Sequence, residues 1–140
     1  APKLSMDYEF TSKGYLKKAG KNLVLELGSL ISGQVELTEE EIEERKQDVY
    51  YDYARLIQND ITFELPEGYI VKGLQQFNTK VEHPHCAFIS TAKQEGNKII
   101  VSTQKIYREQ TIPVSHWSDL VEMLEAAYNF SQKKVILAKN

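Results

Sequence analysis

Apolar and polar residues alternate with period two along much of this chain, and that pattern predicts strands. Leu4, Met6, Tyr8 and Phe10 alternate with Ser5, Asp7, Glu9 and Thr11, which predicts a first strand. Lys13-Gly14 and Ala19-Gly20-Lys21-Asn22 supply turn residues, and Leu23, Leu25 and Leu27 alternate again in a strand over residues 23–27. Gly28 and Gly33 frame a loop with room for a short extended piece at 34–37. Further on, Ile61, Phe63 and Leu65 face one way and Thr62 and Glu64 the other. Pro66-Glu67-Gly68 then turns the chain into a strand over 69–74. Phe77 and Val81 carry apolar character through a looser crossing. The clearest hairpin pairs residues 86–91 with 99–103, extended to Ile106 or Tyr107, about the turn Glu95-Gly96-Asn97. Residues 133–138, KKVILA, read as a closing strand.

Two stretches change to a helical period. Thr38-Glu39-Glu40-Glu41 fits a capping box, with Thr38 as N-cap and Glu41 reaching back, and opens a short acidic helix over 39–46. Beyond it the signal divides. Ile42, Val49, Tyr53 and Leu56 are helically spaced, so one helix could reach residue 57, while Val49, Tyr51 and Tyr53 alternate as a strand does. The strand is preferred, because aromatic and β-branched residues favour it and it leads directly into Ile61. Pro113 ends the β region, and Ser115 is placed to cap a helix over 116–130. There Trp117, Leu120, Val121, Leu124, Ala127 and Tyr128 form an apolar stripe, best read as the face packed on the sheet. The pattern as a whole predicts a mainly β chain: an antiparallel β-sandwich with one amphipathic helix near the C-terminus and a short acidic helix mid-chain.

Composition narrows the function classes. A chain of 140 residues that is 41% apolar can bury one core, and no repeat or linker divides it. Seventeen basic against twenty acidic residues, a net charge of −3, lack the basic excess that phosphate backbones require, so no nucleic-acid partner is expected. No apolar run exceeds four residues, against roughly 20 for a membrane helix. The single Cys86 forbids an internal disulfide. The opening Ala1-Pro2-Lys3, with neither an initiator Met nor an apolar leader, suggests a mature protein or an accessory domain, residues 1–140, excised from a larger multidomain one.

Three groups of residues carry candidate chemistry. His83, His85 and Cys86, with His116 as a fourth, could share a zinc ion, since His83 and His85 at i, i+2 on an extended segment point the same way. A structural site needs four ligands and Pro84 points to a loop, so loop histidines beside a buried, inert thiol are preferred and no metal or cofactor is expected. A Cys86–His83 or Cys86–His85 nucleophilic pair would need a lowered thiol pKa, an orienting group and an oxyanion hole, none recognisable in the sequence. Tyr50, Tyr51 and Tyr53 form the third group, a candidate ligand-binding platform for sugar rings or a partner protein. The alternative, preferred, is that they pack the sandwich and cover its edge. The acidic residues 39–44 lack the loop pattern of an EF-hand and read as a solvated helix face.

The order of these signals is familiar. I-x-F-x-L-P-E-G-Y at residues 61–69 is followed by the hairpin strand G-N-K-I-I-V at 96–101. Ile112-Pro113, the Trp-containing helix and the closing K-V-I-L at 134–137 complete the series. Over roughly residues 20–138 the sequence resembles the C-terminal β domain of bacterial transglutaminase-like envelope proteins, a domain of unknown function that follows the transglutaminase core. The resemblance implies export to the periplasm or cell envelope and contacts with adjacent domains of the same chain. It carries no catalytic triad here, because Cys86 lies in a predicted strand rather than at a helix start. The expectation is therefore a non-catalytic accessory domain packed against a transglutaminase-like neighbour. The alternative is a module that binds envelope glycan or protein through the tyrosine cluster.

Overall fold

In the computed structural model, which describes residues 2–31 and 33–140, the chain is mainly β with several antiparallel sheets and a C-terminal helix. One four-stranded sheet holds β1 (Leu16–Ala19), β2 (Asn22–Leu25), β5 (Tyr69–Lys72) and β10 (Val135–Lys139), in the order β1-β2-β10-β5. The other holds β4 (Arg55–Glu64), β6 (Thr79–Glu82), β7 (Cys86–Glu95) and β8 (Lys98–Tyr107), in the order β4-β8-β7-β6. A two-residue ribbon pairs β3 (Val49–Tyr50) with β9 (Thr111–Ile112). Helices α1 (Glu39–Glu43) and α2 (Trp117–Gln132) complete the fold, with 3-10 turns at Leu27–Ile31, Leu74–Phe77 and Val114–His116. No helix among the described residues is long and apolar enough to cross a membrane.

The long hairpin is the backbone of the second sheet. β7 and β8 pair over ten residues, from Cys86 opposite Tyr107 to Glu95 opposite Lys98, and β8 pairs with β4 over ten more. The turn between them needs Gly96 at φ 58°, a left-handed conformation that costs glycine nothing. Directly opposed residues share a face, so Cys86, Phe88 and Ser90 of β7 look the same way as Tyr107, Lys105 and Thr103 of β8. Helix α2 covers the β7 end of that face. Phe130 meets Phe77 edge-on at 5.1 Å and Phe88 at 5.8 Å, and Leu120, Met123, Leu124 and Ala127 fill the space around them. Leu25, Val135 and Leu137 of the first sheet join the same core.

Several expectations are corrected by these contacts. Residues 2–12 form no strand, although Leu4, Met6, Tyr8 and Phe10 alternate; these four stand 84%, 74%, 80% and 55% exposed. Alternation makes a strand amphipathic, but a strand exists only when a neighbour takes its backbone hydrogen bonds, and none does here. Ser115 does not cap α2. It lies inside the Val114–His116 turn, the N-cap is His116 and makes no side-chain cap hydrogen bond, and the amide that opens the turn donates to Asp48 Oδ1 at 2.7 Å, sixty-six residues away. The apolar stripe of α2 includes Met123 and Phe130, and Tyr128 lies at its half-buried margin. In the disputed region no helix passes Glu43; β3 ends at Tyr50, and a new strand begins at Arg55, six residues ahead of Ile61. The capping box is present as read: Glu41 N donates to Thr38 Oγ1 at 3.2 Å, and Thr38 N to Glu41 Oε2 at 2.8 Å. Of the loop framed by Gly28 and Gly33, residues 27–31 form a 3-10 turn, Ser32 lies outside the described residues, and 34–37 are irregular.

Candidate functional site

The half of the inner sheet face that α2 leaves uncovered is a pocket. Asn59, Ile57 and Arg55 of β4 lie opposite Thr103, Lys105 and Tyr107 of β8, and these six side chains form its floor. The start of α2 supplies Trp117, Leu120 and Leu124, the ribbon supplies Val49 and Tyr51, and Gln34, Val35 and Arg45 close the rim. The space is about 460 Å³, within the range of small-molecule sites. Its rim is anchored by one tertiary and one local contact: Trp117 Nε1 donates to the Ile42 carbonyl at 2.9 Å, tying α2 to α1, and Arg45 Nε donates to the Gln47 carbonyl, two residues on, at 3.0 Å.

Three cations and no carboxylate line this pocket. Arg45 lies 4.8 Å from the centroid of the Trp117 ring. Arg55 lies 5.1 Å from that of Tyr107 and 5.7 Å from that of Tyr51, with the Lys105 ammonium 5.8 Å from Tyr107. Lys105 donates to Gln34 Oε1 at 3.0 Å, and no ion pair to Arg45, Arg55 or Lys105 occurs among the described residues. Burial, with Arg55 nearby, holds the Lys105 ammonium below the ordinary lysine range. Burial likewise pushes the Tyr107 phenol up, and that of Tyr51, with Tyr107 as a second cause. The sequence reading did not single out Lys105. Its signal was the inward row Ile99, Val101, Thr103, Lys105, Tyr107, in which a charged residue stands at a core-facing position.

The tyrosine cluster is divided by the fold. Tyr51 is half-buried with its ring 4.6 Å from that of Tyr107, so it is a wall of the pocket. Tyr50 and Tyr53 stand 68% and 63% exposed. Together with Asp52 and Arg55 the three tyrosines surround a second, smaller hollow of about 180 Å³. Gln110 fastens this loop, its Nε2 donating to Tyr50 Oη and to the Asp52 carbonyl, each at 2.9 Å.

The three histidines do meet, beside the first turns of α2. His83 Nε2 lies 2.9 Å from Glu122 Oε2 and its Nδ1 3.6 Å from Asp119 Oδ1, while His116 Nδ1 lies 3.0 Å from Asp119 Oδ2. The His85 and His116 rings stack edge-on at 4.5 Å. His85 Nδ1 is 3.1 Å from Glu109 Oε2 but out of line for a hydrogen bond, which leaves that buried nitrogen unpaired. Each histidine thus lies against a carboxylate, with Asp119 shared by His83 and His116, and no set of three or more His, Cys, Asp or Glu side chains among the described residues is arranged to hold a metal ion. Cys86 points into the core, fully buried. Burial first, and then the Asp119 charge, push its thiol up to about 11, the reverse of nucleophile activation.

Neither the curated proteins nor the solved structures give a match to this chain. A family model does match, over residues 23–137, which span β2 to the middle of β10 and include every pocket residue. The family is described as a domain of unknown function, without a link to transglutaminase-like proteins. The chain belongs to this family of domains of unknown function, DUF3858.

Proposed function

We propose that this is a non-catalytic accessory domain of an exported, envelope-associated bacterial protein, working by contact with a neighbouring transglutaminase-like domain of the same polypeptide. The observation that carries the reading is the exposed segment Leu4, Met6, Tyr8 and Phe10. It has the amphipathic pattern of a strand and no strand beside it, and leaving four large apolar side chains in water forfeits about 1.5–3 kcal/mol each. A sheet edge on the neighbour would take both its hydrogen bonds and its apolar face. Phe10 lies near Tyr15, with ring centroids 6.2 Å apart, so the end of the segment sits beside the start of β1. The inert state of Cys86 supports the absence of thiol chemistry.

Hydrogen exchange on the intact parent protein tests this reading. Amides of residues 3–11 are expected to be protected in the intact protein and to exchange freely in the isolated chain. Equal, fast exchange in both would end the docking reading. A second reading, a glycan- or protein-binding module, is favoured by one observation: Tyr50 and Tyr53 present exposed rings beside a hollow. Affinity gels carrying envelope glycans would then retard the domain, and Tyr50→Ala or Tyr53→Ala would release it.

A further inference from the structure

The larger pocket carries more than a packing defect. Lys105 occupies a floor position flanked by Phe88 and Ile57 in register, where the rest of the row is Ile99, Val101, Thr103 and Tyr107. A charge brought out of water normally has a counter-charge beside it, since desolvation is repaid only by pairing. Here the nearest fixed partner is the neutral amide of Gln34, and the second nearby charge, Arg55, has the same sign. The chain has twenty acidic residues to seventeen basic, yet the three charged residues that line this pocket are all cations. The charge that complements this lining is negative.

The remaining walls say what kind. Trp117, Tyr51 and Tyr107 offer aromatic surface, each with a cation already alongside, an arrangement that accepts a flat ring as well as a charge. Asn59 and Thr103, hydrogen-bonded to each other at 3.4 Å, add neutral polar groups to the floor. A concave space of about 460 Å³ takes a small molecule and not a duplex, and the net charge of −3 opposes any polyanion.

We propose that this pocket binds a small organic anion, a ring-bearing carboxylate or phosphate, with its anionic group between Lys105 and Arg55 and its ring against the Tyr107–Trp117 side. The guanidinium of Arg55 can meet either anion with two parallel N–H donors, and Lys105 adds a point charge from the floor. This site is separate from the docking segment at residues 4–10 and does not rest on the accessory reading.

The test is a titration of the ¹⁵N-labelled chain with phenyl phosphate, benzoate, inorganic phosphate and the neutral phenol. Phenyl phosphate or benzoate is expected to saturate, shifting the amides of Arg55, Lys105 and Tyr107, and to weaken as salt is raised. Phenol is expected to bind at least about tenfold more weakly, the equivalent of 1.4 kcal/mol. Lys105→Met keeps the stem and removes the charge; Arg55→Gln changes an exposed side chain at the end of the floor and keeps the experiment readable should K105M not fold. Each is expected to lower affinity for the anion about tenfold while leaving phenol unchanged. Phenol binding as tightly as the anions would overturn the proposal, as would failure of both ring-bearing anions to saturate by about 10 mM. So would anion affinity that R55Q, together with K105M where it folds, leaves unchanged. Of the two ring-bearing anions, the tighter identifies the headgroup, and inorganic phosphate matching phenyl phosphate would overturn the role given to the aromatic wall.

Discussion

Gly28→Ala is expected to be among the most damaging single-methyl additions to this protein. Gly28 lies in the Leu27–Ile31 turn, pressed against the end of α2, and its N–H donates to the Lys133 carbonyl at 3.0 Å. A Cβ built there would stand 2.0 Å from the Phe130 carbonyl oxygen and 2.9 Å from that of Lys133. Ordinary contact begins a little above 3 Å, so the turn and the helix end must part by an ångström or more, and both obstacles are backbone. Phe130 cannot retreat freely, because its ring is fully buried between Phe77 and Phe88. Overpacking of this kind costs about 1–3 kcal/mol, and loss of the Gly28–Lys133 hydrogen bond adds roughly 1. Reduced freedom of the unfolded chain returns about 0.4–1 kcal/mol. The net loss is about 1–3.5 kcal/mol, against a typical total stability of roughly 5–15. Urea unfolding followed by far-ultraviolet dichroism reads this as a lower midpoint at unchanged slope. Gly14→Ala is the control, since its new methyl would meet only Ser12 Oγ, at 3.6 Å. A G28A midpoint within error of that control would refute the reasoning, because it would show that the turn and helix end are not in rigid contact.

Other outcomes follow from the same packing. Cys86 should resist iodoacetamide at pH 7 until the chain is unfolded, since a thiol at about 11 is ionised in roughly one molecule in ten thousand; labelling at the rate of a free thiol contradicts this. Tyr51→Ala should cost about 3 kcal/mol by loss of its packing on Tyr107, while Tyr50→Ala and Tyr53→Ala stay within about 0.5 kcal/mol, as read by urea midpoints. Tyr51, Tyr107 and Cys86 all bind their protons more tightly folded than unfolded. Their contribution is therefore intact at neutral pH, begins to be lost above the unfolded values near 8.5 and 10 and is gone once pH passes the higher folded ones, and Tyr51→Phe should flatten that alkaline decline. Lys105 has the opposite sign: its penalty is present at neutral pH and relieved as pH rises toward the unfolded lysine value. K105M should therefore raise the melting temperature at pH 7 and raise it less above pH 10. Thr38→Ala should cost about 1 kcal/mol and fray α1, visible as faster exchange of the Glu41 amide.

Local signals in the sequence determined local structure. Thr38 and Glu41 find each other across three residues, Gly96 turns the hairpin, and period-two alternation over 86–91 and 99–103 marks two strands that the fold extends to Cys86–Glu95 and Lys98–Tyr107, because each choice is decided by neighbours a few positions away. The segment at residues 4–10 shows where that reasoning stops: alternation states which face a strand would bury and is silent on whether an edge exists to pair with it. That Asp48 serves the Val114 amide is hidden for the same reason, as a group sixty-six residues distant is invisible to a local pattern. Insertion of β10 between β2 and β5, the separation of Tyr51 from Tyr50 and Tyr53, and the gathering of Arg45, Arg55 and Lys105 around one cavity were all decided by tertiary packing. The alternation of β8 did place Lys105 inward. Only the fold left that place without an opposing carboxylate, since the electrostatics of a site depend on distances between residues far apart in the chain.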